Sequence, residues 1–102
     1  MTAYKDILLD EIGSGIVRIT LNRPKARNAL RTALLAELSD AFDKIATDDA
    51  ARCVVVCGNP RVFAAGADIP EMAEMSMTEV LADVRPQYWA CIAAFPKPII
   101  AA

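Results

Sequence analysis

The sequence predicts an α/β fold, and three stretches carry that prediction. Residues 52–58, Arg-Cys-Val-Val-Val-Cys-Gly, form an apolar β-branched run of the kind that makes a buried strand. Leu30, Leu34, Leu38, Phe42 and Ile45 recur at steps of four, four, four and three, which lines one face of a helix over 31–47. Val17, Ile19 and Leu21 alternate with Arg18, Thr20 and Asn22, the period of a half-buried strand. Strand, helix and strand in that order make a βαβ-like unit with a right-handed crossover.

The elements follow in chain order. Ile7 and Leu9 mark a strand over 4–12, and Gly13-Ser14-Gly15 turns it into the 17–22 strand as a hairpin. Pro24 ends that strand. The loop through Asn28 crowds charged and amide side chains around Ala26, and on spacing alone it reads as a solvated connector. In the 31–47 helix, Glu37, Asp40, Asp43 and Lys44 lie off the apolar stripe. After the 52–58 strand, Asn59-Pro60-Arg61 makes a turn. Asp68 then opens a short helix with Glu71 three residues on, the acidic version of a capping box, and Pro70 in its first turn. Ser76 or Thr78 caps a longer helix over about 79–95, striped by Leu81, Val84, Tyr88, Cys91 and Phe95. Pro86 falls inside it and predicts a kink or a split. Pro98 begins a last apolar strand, and a chain ending on Ile-Ile-Ala-Ala reads as interrupted.

At 102 residues the chain has the length of one domain, 1–102. A hydrophobic content of 55% and a mean hydropathy of +0.30 favour a sheet covered on both faces, or a surface meant for other parts of a larger protein. A net charge of −2 without a basic cluster argues against nucleic acid as a partner. No apolar run approaches about 18 residues. Met1-Thr2-Ala3-Tyr4-Lys5-Asp6 lacks a signal-peptide core, so the expectation is a cytoplasmic protein with no membrane partner. Cys53 and Cys57 stand about 13 Å apart along a strand, beyond disulfide reach. With no histidine in the chain, a metal site would need an unusual ligand set, so the three cysteines read as core thiols.

Residues 63–72 hold the densest chemical signal. Gly66 permits a positive φ or a close approach of backbone to ligand. Ala67 precedes the cap, so its backbone N–H lies at a strand-to-helix corner on the positive end of a helix. Two readings stand: an ordinary capped corner, or a corner whose amide holds a developing oxyanion. Met72, Met75 and Met77 likewise read as gap-filling core or as an adaptable acyl pocket.

Three segments resemble the crotonase superfamily, the enoyl-CoA hydratases and isomerases, and they stand in that family's order. Ala-Gly-Ala-Asp-Ile-x-Glu-Met at 65–72 is similar to its first oxyanion motif. Leu-Asn-Arg-Pro-Lys-Ala-Arg-Asn-Ala-Leu at 21–30 is similar to its CoA-contacting loop, and Pro-Lys-Pro-Ile-Ile-Ala-Ala at 96–102 to the strand leading into its second oxyanion motif. Residues 63–74 and 85–90 look like a subgroup of hydratases from phenylacetate degradation. The resemblance implies the N-terminal part of a spiral of ββα units, assembled as a trimer or a dimer of trimers. It implies that Ala67 supplies one oxyanion amide. Ala65, Gly66, Asp68, Ile69 and Pro70 would lie along CoA, largely through backbone groups, and Lys25 and Ala26 would contact it from the first loop. The family often has a lysine where Pro70 stands, so a charge contact from that position is missing. Coenzyme A would be part of the substrate, with no separate cofactor and no metal. The second amide and both family glutamates would lie beyond residue 102, which leaves open a non-catalytic fragment or CoA-binding piece. An isomerase or an acyl-CoA hydrolase on the same fold also remains open.

Overall fold

The computed structural model describes residues 4–102, and Met1, Thr2 and Ala3 of the segment without a signal-peptide core lie outside the described residues. Strands β1 (Ile7–Gly13) and β2 (Ile16–Leu21) pair antiparallel as the predicted hairpin, with Ile7 opposite Leu21 and Leu9 opposite Ile19. Helix α1 (Thr32–Ala46) carries the chain to β3 (Cys53–Cys57), which runs parallel to β2. Three short helices follow: α2 (Ile69–Ala73), α3 (Met77–Leu81) and α4 (Arg85–Ala93). The last strand, β4 (Ile99–Ala101), lies parallel to β3 and completes a four-stranded sheet in the order β1-β2-β3-β4.

Register explains where the core sits. Leu9 faces Ile19, Ile19 faces Val56, and Val54 faces Ile99, so the alternating apolar residues of all four strands fall on one side. The stripe of α1 lies against that side, and Ile19, Leu34 and Val54 are each 0% exposed. Each side chain of this size contributes roughly 1.5–3 kcal/mol on burial. Phe42 meets Phe95 edge-on with ring centroids 4.9 Å apart, which joins the segment after α4 to α1. Lys97 adds a polar tie across the same end. Its Nζ donates to the carbonyls of Ile45, Asp48 and Ala51 at 2.7–2.9 Å, at the C-terminal end of α1 where carbonyls lack helical partners.

Two expectations need correction. Among the described residues the sheet is covered on one face rather than on both, because α1 packs against that face and α4 packs on α1. Cys53, Val55 and Cys57 face away and are half-buried. All three cysteines are half-buried rather than core: Cys53 and Cys57 lie on that outer face, Cys57 Sγ 3.4 Å from Thr20 Oγ1, and Cys91 of α4 donates to an Asp43 carboxylate oxygen at 2.9 Å. The 79–95 helix is split, as Pro86 predicted, into α3 and α4. Ser76 caps α3 in a reciprocal box with Glu79, and the Asp83 carboxylate accepts the Arg85 N–H where the chain turns. Pro86 then sits in the first turn of α4, where no N–H is required. The stripe breaks with the helix: Leu81 is 83% exposed, whereas Tyr88, Ile92 and Phe95 reach the core. No helix among the described residues is long and apolar enough to cross a membrane.

Candidate functional site

The corner at 63–71 is built from β3 outward. A side chain at Gly58 would run into the carbonyls of Val62 and Phe63, so glycine is required where the chain folds back on leaving β3. Gly66 has φ +101° with open space around the position of a Cβ, so its requirement is conformational rather than steric. Asp68 caps α2 as expected, its Oδ1 accepting the Glu71 N–H at 3.1 Å.

Glu71 does not return the bond. Its carboxylate instead accepts the Thr32 N–H at 2.9 Å and the Thr32 hydroxyl at 2.6 Å. Arg31, at the N-cap of α1, offers no acceptor of its own, so Glu71 of α2 caps α1 across space. Glu74 is exposed. Glu71 is thereby committed to a helix end, and Glu74 faces water.

The 22–31 loop corrects the solvated-connector expectation. Asn28 is 0% exposed, with φ +56°, a left-handed conformation that asparagine tolerates better than most residues. Its Oδ1 accepts the Arg23 N–H at 2.8 Å and its Nδ2 donates to the Phe63 carbonyl at 3.0 Å. Arg23 Nη1 donates to the Ala29 carbonyl at 2.8 Å and to Asp68 Oδ2 at 2.9 Å. That guanidinium, helped by the Glu71 N–H, holds the Asp68 carboxyl below the usual carboxylate range and keeps it ionised. Backbone bonds complete the junction: Ala65 N–H to the Arg27 carbonyl at 3.0 Å, and Leu30 N–H to the Gly66 carbonyl at 2.7 Å.

These contacts bring the sequence-predicted residues together. Ala65, Gly66, Ala67, Asp68, Ile69 and Pro70 form the corner and the start of α2. Lys25 and Ala26 sit in a 3-10 turn, Pro24–Ala26, directly before the Arg27 carbonyl that bonds to Ala65. Ala67 is exposed, and its N–H has no hydrogen-bond partner among the described residues. It borders a cleft of about 270 Å³ whose apolar walls are Leu30, Leu35, Met72, Pro86 and Trp89. Asp83 and Arg85 line the same cleft as an ion pair. Of the three methionines, Met72 faces this cleft, Met75 lies against the Arg85 guanidinium at 3.6 Å, and Met77 is 82% exposed. A larger cavity of about 680 Å³ lies between β1 and α1, away from the corner, and its lining includes none of these groups. Among the described residues no group of three or more His, Cys, Asp or Glu side chains is placed to hold a metal ion.

The geometry is that of a free amide beside an apolar cleft, and the comparisons with known proteins give it a context. The model of the enoyl-CoA hydratase/isomerase family matches residues 11–102.

The chain belongs to the enoyl-CoA hydratase/isomerase family.

Over 87 residues it is 52% identical to the 2,3-dehydroadipyl-CoA hydratase of Escherichia coli, a match covering 85% of this chain and 34% of that protein. It is 40% identical over 101 residues to a probable enoyl-CoA hydratase of Rhizobium meliloti, covering 98% of this chain and 38% of the relative. Its backbone superposes on an enoyl-CoA hydratase subunit of Geobacillus kaustophilus with a TM-score of 0.90 at 29% identity, over 98% of this chain and 38% of that one. The chain thus spans little more than a third of the length of these relatives. Its fold is the N-terminal portion of the crotonase-type α/β architecture, as the motif resemblance implied.

Sequence reading missed Arg23, Asn28 and Arg85 as members of this site. A signal for Asn28 was present: an asparagine after a proline-initiated turn suits a left-handed residue. Nothing in the spacing tied Arg23 to Asp68, because 45 residues separate them.

Proposed function

We propose that this chain is the N-terminal part of an enoyl-CoA hydratase, and that the Ala67 N–H is one of two amides stabilising its enolate. In the reaction, water oxygen bonds to the β carbon of an α,β-unsaturated thioester. The π electrons move onto the thioester oxygen, and a proton then reaches the α carbon. The transient charge sits on that oxygen, so a fixed amide there lowers the barrier more than it tightens ground-state binding. The observation that carries the reading is the unpaired, exposed Ala67 N–H beside an apolar cleft. Hydration rather than isomerisation is favoured because the relatives at 52% and 40% identity carry hydratase names.

Lys25, Ala26, Ala65, Gly66, Asp68, Ile69 and Pro70 then lie along the CoA portion of the substrate. The side chain of Asp68 is committed to Arg23 and α2, so its contribution to CoA is through backbone. In this proposal the second amide and the carboxylates that move the protons are assigned to the part of the relatives' length that this chain does not span. Coenzyme A is part of the substrate, and the chemistry needs no further cofactor. The name of the E. coli relative makes a dehydroadipyl thioester the first acyl group to try and phenylacetate catabolism the first pathway. A cytoplasmic homotrimer or dimer of trimers completes the proposal. Exposed Met77, Val80 and Leu81 on α3 are compatible with packing against further protein.

Proline at position 67 tests the reading, since it deletes the N–H. In the complete hydratase, Ala67→Pro is expected to lower kcat by about 10²–10³ with a smaller change in CoA-thioester affinity. A folded variant that binds CoA and keeps normal kcat overturns the assignment.

A further inference from the structure

The Ala67 N–H is unpaired, but the residue bridges to Leu30 and its neighbours on both sides are fastened to the 23–30 loop. Before it, the Phe63 carbonyl accepts from Asn28 Nδ2, the Ala65 N–H donates to Arg27, and the Gly66 carbonyl accepts from Leu30, at 2.7–3.0 Å. After it, Asp68 Oδ2 accepts from Arg23 Nη1. Asn28 ties the loop to the segment before Ala67, and Arg23 is the member of this set whose side chain holds the segment after it, at Asp68. One nitrogen holds its own loop at the Ala29 carbonyl and the corner at Asp68, and its side chain is 16% exposed against 12% for Asp68. A planar guanidinium held at two acceptors fixes direction as well as distance. The loop is itself closed on Arg23, whose backbone N–H and carbonyl bond to Asn28 Oδ1 and to the Asn28 N–H.

We propose that Arg23 is a positioning residue for the hydration step: acting through Asp68, it sets the direction of the Ala67 N–H. The inference rests on the oxyanion reading of Ala67. It follows from how such donors work, because they must stand about 2.7–3.1 Å from the oxygen as charge develops. Errors of about an ångström are costly there and matter less to the ground-state complex. Arg23 also balances the Asp68 anion one residue from that amide, a charge that unpaired would oppose the enolate.

The test is a double-mutant cycle in the complete hydratase, assayed with crotonyl-CoA. Arg23→Gln is expected to lower kcat about 10–100-fold while KM moves less than about threefold. Combined with Ala67→Pro, which removes the donor, it should lower kcat no further than Ala67→Pro alone. A normal kcat in Arg23→Gln, or losses that multiply in the double variant, overturns the positioning role and leaves the oxyanion reading standing. A normal kcat in folded Ala67→Pro overturns the oxyanion reading, and this inference with it. If Arg23→Gln does not fold, Asp68→Asn carries the same cycle, because it keeps an acceptor for the Glu71 N–H while losing the charge. If Ala67→Pro does not fold, the absorbance of bound cinnamoyl-CoA reads the same point. Carbonyl polarisation by the amide shifts the band to the red, and Arg23→Gln should bind the thioester with that shift reduced. An undiminished shift in bound Arg23→Gln overturns the role.

Discussion

Phe42 is 2% exposed and lies in a cluster of buried apolar side chains between α1 and the sheet, while Asn28, 0% exposed, lies in a web of carbonyls, amides and a guanidinium. The first region is held by area removed from water, a force without direction that tolerates small shifts. The second is held by hydrogen bonds, each defined in length and angle, and no buried side-chain polar atom among the described residues lacks a partner. That difference suits their tasks. A core has only to exclude water, whereas a corner presenting an amide to a reacting atom has to hold an orientation while remaining exposed at Ala67. The corner obtains its rigidity from polar bonds because apolar coverage would close the site it presents.

The comparison predicts a graded set of effects. Phe42→Ala should be the most damaging, at about 3–5 kcal/mol, since it opens a cavity and removes the edge-on contact with Phe95. Chemical denaturation should show the whole transition shifting. Asn28→Ala should cost less, about 2–4 kcal/mol, by leaving the Arg23 N–H and Phe63 carbonyl without partners. Its signature should be local: hydrogen exchange at Ala65 and Leu30 should accelerate more than at Val54. Equal acceleration everywhere would erase the distinction between the two regions.

Acid supplies the smallest and most selective probe. Asp68 is held below its ordinary range by Arg23 first and the Glu71 N–H second. A depressed folded-state pKa contributes stability that is complete above the unfolded carboxylate value of about 3.9 and is lost as pH falls through the folded value. Stability should therefore decline below about pH 4, and Asp68→Asn should flatten that decline. Asp83, lowered chiefly by its hydrogen bond to Arg85, adds a component of the same sign that the substitution leaves in place. An unchanged acid slope in Asp68→Asn would detach the corner's stability from this ion pair.

Much of this was determined by the sequence alone. Periodicity placed the second strand of the hairpin and α1, because a repeat of 2 or 3.6 residues is a local property that needs only one apolar face to be satisfied. The β-branched run placed β3, of which the structure buries one face and leaves the other half-buried. Capping chemistry placed Asp68 and narrowed the next cap to Ser76 or Thr78 for the same reason, since cap and helix are within three residues of each other; the structure chose Ser76. The order of three short motifs identified the family. What only the tertiary structure decided is everything carried by distant partners. The carboxylate of Glu71 went to α1 rather than to its own helix, since Thr32, 39 residues away, presented an uncapped N–H. Arg23 met Asp68, and Asn28 sank from an apparent loop surface to full burial, because β3 delivers the 63–68 corner beside the 23–30 loop. The cysteines of β3 were left off the core because the described helices cover one face of the sheet. Sequence spacing reports what a residue can do for its neighbours within a turn, and the packing of β2, β3 and α1 decides which distant group it reaches.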